Sequence, residues 1–228
     1  MVTIVLPTKN EEESIGKTID EIRSVTKESM LVVDGHSKDK TVEIAKKRGV
    51  PVIYDHGLGK GEALRTAFTH AKDDVVFLDV DGTYPINLLP EFIDALKTHD
   101  VVVGERTKFL HKSLPRIFLV SDAVSRGIFR ILFGKRIDNL SGMRGITKNA
   151  IKKMSLKSNG FTIESEMAVK TAVYNMSLKK IPITYDMRKG SSKFNPLTDG
   201  TKIFFFLMFS FFYYKLHSLM NFFGFVKN

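Results

Sequence analysis

The chain has 228 residues, no cysteine and a net charge of +10. That length suits one α/β domain with a sizeable core and a modest appendage, and 43% apolar with 26% charged residues is a globular composition, not a disordered one. Disulfides, thiolate metal sites and thiol nucleophiles are excluded, and the start, MVTIVLPTKNEEE, lacks a basic leader and a long apolar run, so the expectation is a protein that stays in the cytoplasm.

Val2 to Leu6 reads as a buried strand. Asn10 is placed to cap the next helix, with Glu13 as its capping-box partner. Ile15, Ile19, Ile22 and Val25 then recur at helical spacing. Residues 30–33 form a second strand, 39–49 a short helix ended by Gly49, and 51–54 a third strand. Residues 62–71 form a helix with Ala63, Leu64, Ala67 and Phe68 inward. Strands at 74–79 and 101–104 flank a helix at 88–97. Repeated β-α-β units imply an α/β fold: a mostly parallel, twisted sheet with helices on both faces. Such sheets bind ligands at the carboxyl ends of their strands. PTKNE, DGHSKDKT, DVDGT and GERT stand at those ends, so four polar loops converge on one edge.

The second half differs in charge. Residues 1–105 carry 13 basic and 19 acidic residues, residues 106–153 carry 12 and 2, and residues 154–228 carry 10 and 4. A basic second half calls for an anionic partner: nucleic acid, an anionic membrane surface or a phosphorylated substrate. No nucleic-acid motif is present, and the interleaving of apolar with basic residues suits lipid better. In the basic amphipathic segment 108–135, Ile117, Val120, Val124, Ile128 and Ile131 share one helical face, with Arg116, Arg126 and Arg130 among them. Residues 203–225 hold nine of the 18 phenylalanines. Their uninterrupted apolar part, Ile203 to Tyr214, is 12 residues, against about 20 for a bilayer crossing. The expectation is a domain over 1–200 and a membrane-associating tail over 201–228 whose helices lie in the interface. The competing reading is a core helix or the interface of a homo-oligomer.

Asp79 and Asp81 end the fourth strand. Residues i and i+2 of a strand face the same way, so the two carboxylates repel. A divalent cation, Mg²⁺ or Mn²⁺, would relieve that repulsion, and Mg²⁺ commonly completes its shell with substrate phosphates. That points to a nucleotide diphosphate. HGLGKGEA, residues 56–63, matches neither a dinucleotide fingerprint nor a P-loop. It still sets Lys60 and backbone amides near an anion at a helix start.

Taken in order, LPTKNE, VVDGHSKDKT, GLGKGEALRTA, DVDGTYP, VVGERT, NLSGMRG, FTIESEM and RKGSSK resemble the family 2 glycosyltransferases of GT-A fold, and within them the dolichyl-phosphate (polyprenyl-phosphate) sugar synthases. The resemblance spans residues 2–193. It implies that Pro7, Thr8, Asn10, Glu11, Asp34, Ser37, Lys60, Asp79 and Val80 bind the nucleotide, and that Asp79 and Asp81 hold the metal. Gly35 departs from the common Asp-Asp-Gly-Ser pattern. In mannose synthases of this type a Gln often stands two residues after the second Asp. Here Thr83 holds that place, which points toward UDP-sugars over GDP-mannose. Arg106, Arg116, Arg144, Arg188 and Lys193 would bind the acceptor phosphate, through the paired hydrogen bonds a guanidinium offers. Asp79, Asp81, Arg106, Arg188 and Glu166 form the implied catalytic set.

The implied reaction is metal-dependent, inverting transfer of a hexose or N-acetylhexosamine to dolichyl or polyprenyl phosphate, at the cytoplasmic face of the membrane by a peripheral or monotopic enzyme. A phosphate monoester has its second pKa near ~6 and attacks without a strong base. Glu164 and Glu166 match an acidic motif of the family, which implies that they orient the sugar or acceptor. Two readings compete: a sugar or protein hydroxyl as acceptor, with Glu166 as base, and a non-catalytic nucleotide-binding module that docks on membranes.

Overall fold

The computed structural model describes residues 1–109, 116–186, 188 and 193–222, with side chains for all of these except 116 and 218–222. In chain order the elements are β1 (Val2–Thr8), α1 (Ile15–Val25), β2 (Ser29–Asp34), α2 (Thr41–Lys47), β3 (Val52–Tyr54), α3 (Lys60–His70), β4 (Asp74–Phe77), α4 (Leu89–Ala95), β5 (Val101–Phe109), α5 (Arg116–Phe133), β6 (Arg144–Ile146), α6 (Lys148–Met154), α7 (Ile163–Val173), β7 (Leu178–Tyr185) and α8 (Thr198–Phe222).

The strands form one sheet in the order β3-β2-β1-β4-β6-β5-β7. All pairings are parallel except those of β6, which runs antiparallel between β4 and β5. Ile4, Val5 and Leu6 of β1 are fully buried, as a central parallel strand covered on both faces requires. One face packs on Ile15, Ile19 and Ile22 of α1 and Phe92 of α4. The other packs on Leu64 of α3, Phe129 of α5, Met167 of α7, and Ile203 and Leu207 of α8.

One expectation changes. Asn10 does not cap α1. Its φ is +52°, its carboxamide oxygen takes the Lys38 N–H at 2.8 Å, and the helix starts at Ile15 after a turn closed on the Glu11 carbonyl. Ser37, which donates nothing to α1, instead accepts the Asn10 N–H at 2.8 Å, so residues 10 and 37–38 bind the first two loops together. α8 begins at Thr198, packs on α5 and α7, and buries Ile203, Leu207 and Ser210. The apolar stripe of α5 faces outward. Ile117, Val120, Val124 and Ile131 are exposed, while Phe129 carries the inward packing.

α8 exposes a second stripe. Phe205, Phe209, Phe212 and Leu216 follow at helical spacing and are all exposed, Phe209 at 71%. No helix among the described residues is long and apolar enough to cross a membrane.

Candidate functional site

The parallel strands bring their carboxyl ends to one edge, and a cavity of about 490 Å³ opens there. It is lined by Pro7, Thr8, Lys9, Asn10 and Glu11 after β1, Gly35 after β2, Asp55 and Gly57 after β3, Gly59, Lys60 and Ala63 at the start of α3, Asp79, Val80 and Asp81 after β4, and Phe161, Arg188 and Lys193. Of the residues expected to bind nucleotide, only Asp34 and Ser37 stand outside this lining. Asp34 is fully buried, and its carboxylate accepts from the Ser37 N–H at 2.8 Å, the Ser37 hydroxyl at 2.5 Å and the Thr8 hydroxyl at 3.3 Å. It holds the β1 and β2 loops in position.

β4 ends at Phe77, so Asp79 and Asp81 lie in the loop beyond the strand and not on it; both line the cavity, and each meets a cation. The Lys60 ammonium bridges Asp79 and Glu164, 2.6 Å from an oxygen of each. Burial alone would discharge Lys60, but the two carboxylates outweigh it and hold its pKa above the ordinary lysine value. Arg188 lies 3.1 Å from Asp81 and 2.6 Å from Glu11, and Lys193 lies 2.7 Å from Glu11 and donates to the Lys9 carbonyl. Asp81 is nearly enclosed. Burial first, then the neighbouring Asp79, raises its carboxyl pKa. Thr83 restrains it, donating to the same oxygen from its hydroxyl at 2.6 Å and its N–H at 3.1 Å.

The donor set fits a divalent cation. No group of three or more metal-binding side chains exists among the described residues, but two carboxylates suffice for an ion that takes its remaining oxygens from substrate phosphates. Lys60 and Arg188 occupy the positive side of this arrangement. The Arg188 Nε is buried with no hydrogen-bond partner among the described residues, a donor available to an incoming oxyanion.

Three expected residues sit elsewhere. Arg106 is 4% exposed and lies outside the cavity lining. Its guanidinium is taken by Asp122 at 2.6 Å and Asp138 at 2.7 and 2.8 Å, and Arg126 closes the same network. Those carboxylates hold its pKa above even the usual arginine value despite burial. Arg144 is fully buried, donates to the carbonyls of Ser141 and Asp138, and has its pKa lowered by burial. Glu166 accepts the Lys157 N–H at 3.0 Å, the Ser158 N–H at 2.8 Å and the Lys170 ammonium at 2.6 Å. As placed, these three sit in the framework behind the site: Arg106 and Glu166 are held by protein partners, and Arg144 keeps only its Nη1 buried without a hydrogen-bond partner among the described residues. Arg116 heads α5, and the expectation for it lies outside the described side chains.

Of the two acids in IESE, Glu164 joins the site, through Lys60. Three residues have no place in the sequence expectations. Asp55 and Phe161 line the cavity. Gly142 donates its N–H to the Tyr84 hydroxyl at 2.7 Å and packs directly on Asp79. Only the Gly-x-x of SGMR hinted at it.

A second cavity, about 290 Å³ and largely apolar, lies between α5 and α8, lined by residues such as Val124, Ile128, Leu197, Ile203, Phe204 and Leu207. It adjoins the first through an aromatic pair. Phe161, in the polar cavity, packs edge-on against Phe194, in the apolar one, with ring centroids 5.4 Å apart.

Comparison with known proteins agrees with this geometry. The family model for glycosyl transferase family 2 matches residues 3–155. Glycosyltransferase AglJ of Haloferax volcanii is 36% identical over 89% of this chain and 69% of its own length. A dolichyl-phosphate hexose transferase of the same organism is 30% identical over 89% and 90%. An undecaprenyl-phosphate mannosyltransferase of Micrococcus luteus is 29% identical over 84% and 86%. In fold, the chain resembles glucosyl-3-phosphoglycerate synthase of Mycobacterium tuberculosis, crystallised with Mn²⁺, UDP-glucose and phosphoglyceric acid, with a TM-score of 0.75 at 20% identity over 92% of this chain and 79% of that one.

Proposed function

This chain belongs to the family 2 glycosyltransferases, and we propose that it transfers a hexose or N-acetylhexosamine from a UDP-sugar to a polyprenyl (dolichyl) phosphate at a membrane surface. One observation carries the acceptor class. A polar cavity flanked by Arg188 and Lys193 meets an apolar groove at Phe161 and Phe194, which suits a molecule with a phosphate at one end and a hydrocarbon chain at the other. The relatives named for dolichyl-phosphate and undecaprenyl-phosphate transfer support the same class. The exposed apolar stripes of α5 and α8 flank that groove and support peripheral attachment.

In this reading the nucleoside lies along Pro7 to Glu11 and the diphosphate lies at Asp79 and Asp81. Those two carboxylates would hold Mg²⁺ or Mn²⁺, which neutralises charge on the leaving diphosphate. Lys60 stays protonated and gives a second fixed positive charge beside Asp79. Arg188 and Lys193 release Glu11 and Asp81 and turn to phosphate oxygens. The acceptor phosphate oxygen attacks the anomeric carbon from the face opposite the diphosphate, forming a new C–O bond as the old one breaks, with inversion. No proton need be removed from the nucleophile at neutral pH, in keeping with a Glu166 committed to Lys170 and two backbone amides.

The test is transfer of labelled sugar from a panel of UDP- and GDP-sugars into organic-extractable lipid, with polyprenyl phosphate and with or without Mn²⁺ or Mg²⁺. Metal-dependent labelling from a UDP-sugar is expected. Labelling of a soluble hydroxyl acceptor, with none of the lipid, would overturn the proposal.

A further inference from the structure

Asp55 closes the end of the cavity farthest from Asp79 and Asp81. The order β3-β2-β1-β4 sets the carboxyl end of β3 three strand spacings, about 14 Å, from that of β4. A nucleoside whose diphosphate rests at β4 therefore presents its base to the loops after β2 and β3.

What the protein offers there is narrow. The Asp34 carboxylate is already spent on Ser37 and Thr8. Asp55 has a side chain only 2% exposed, yet it lines the cavity. Its Oδ1 accepts the Gly57 N–H at 2.7 Å. No hydrogen bond among the described residues reaches its Oδ2. Residue 35 stands beside that oxygen: a Cβ on Gly35 would lie in ordinary contact, 3.5 Å from Asp55 Oδ2 and 3.4 Å from the Thr8 carbonyl. With glycine there, no side chain of residue 35 lies beside Oδ2. Burial, with Glu62 nearby, raises the Asp55 carboxyl pKa, the mark of a carboxylate short of donors.

We infer that Asp55 Oδ2 accepts the imide N–H of a pyrimidine-dione base, and that this contact makes the cleft select UDP over CDP and GDP. The inference rests on the reading of the cavity as a nucleotide site and deepens it. One free acceptor oxygen matches one N–H. Cytosine presents a lone pair at the same ring position and meets the carboxylate oxygen with repulsion. Guanine presents two adjacent donors, and the second would have to share Oδ1 with the Gly57 N–H, a poorer match than the single imide N–H on Oδ2. A hydrogen bond to a charged group in such a setting discriminates roughly tenfold to a hundredfold.

The experiment is calorimetric titration of the full chain with UDP, CDP, GDP and N3-methyl-UDP, each with Mn²⁺. UDP is expected to bind at least about tenfold more tightly than the other three. Asp55→Asn, whose amide can donate to the cytosine ring nitrogen, is expected to close most of the gap between UDP and CDP. Gly35→Asp is expected to weaken UDP. The N3-methyl comparison uses the unaltered protein and does not depend on a variant folding. Binding of UDP that equals that of CDP, GDP or N3-methyl-UDP overturns the inference, as does an unchanged UDP-to-CDP ratio in Asp55→Asn. Failure of every nucleotide to bind overturns the nucleotide reading itself.

Discussion

Gly142→Ala isolates the geometry of Asp79 without touching a charged group. A Cβ on residue 142 would lie 2.4 Å from Asp79 Oδ2, 3.0 Å from its Cγ and 2.9 Å from the Lys60 ammonium. Ordinary contact begins at 3.4 Å, so about 1 Å of movement is required. The loop cannot supply it. Gly142 is tied to the Tyr84 hydroxyl, Met143 is fully buried, and β6 follows at Arg144 in the middle of the sheet. Asp79 must yield, and its 2.6 Å contact with Lys60 goes with it. Misplacing a catalytic group by about 1 Å costs on the order of 10²-fold, which is about 2.7 kcal/mol of barrier. The backbone at 142 is outside the left-handed region, so alanine brings no conformational strain and the fold should persist. The assay is metal-dependent sugar transfer at saturating acceptor, with Mn²⁺–UDP affinity measured alongside. Gly127→Ala, where a Cβ meets nothing within 4 Å, is the control. If Gly142→Ala keeps kcat/KM and Mn²⁺–UDP affinity within about twofold of the control, Asp79 is not held to the tolerance argued from its contacts.

Lys60→Ala leaves Asp79 and buried Glu164 without their shared cation, and removing one partner of a buried pair costs about 3 kcal/mol or more. For a chain of this size that is a fall in Tm of roughly 6–12 °C by differential scanning fluorimetry, and an unchanged Tm would show the bridge to be energetically idle. Glu166→Gln should lower stability at pH 7 by about 2 kcal/mol while transfer persists. Burial opposes ionisation of Glu166, but Lys170 and the amides of Lys157 and Ser158 prevail and depress its pKa in the fold. That stabilisation is therefore full above the unfolded value near ~4.3 and is lost as pH falls through the folded one. Urea unfolding should show wild type and Glu166→Gln converging under acid. Complete loss of transfer in this variant with stability intact would restore Glu166 as a base. Phe205→Asp with Phe209→Asp places charge on the exposed stripe of α8 and should abolish sedimentation with anionic vesicles without changing circular dichroism. Undiminished vesicle binding would remove α8 from the membrane face.

The α/β alternation was legible because β1 to β4 are short apolar runs separated by helical periodicity. The convergence of PTKNE, DGHSKDKT and DVDGT on one edge follows from parallel strands. β6 was not legible. It is three residues, Arg144 to Ile146, and exists as a strand only because β4 and β5 hold it from both sides. The four arginines expected at the acceptor phosphate look alike in one dimension. Arg188 lines the cavity, whereas Arg106 is claimed by carboxylates 16 and 32 residues further along the chain.

Local order in the chain settled the reaction class. The Asp79–Asp81 pair at the end of a buried strand, and the succession of motifs around it, need no long-range information. Its consequence, a demand for counter-charge, follows from the repulsion of like charges; that the pair lies in the loop just past β4 and not on the strand is a feature of the fold. Which ionisable groups remain free for chemistry was decided only by the fold. Lys60 reaches Glu164 rather than Glu166, Asp55 has one oxygen on Gly57 and the other without a hydrogen bond among the described residues, and α8 turns two apolar residues inward and a row of phenylalanines outward. A charge is available or spent according to the neighbours packed against it, and those neighbours come from distant parts of the chain.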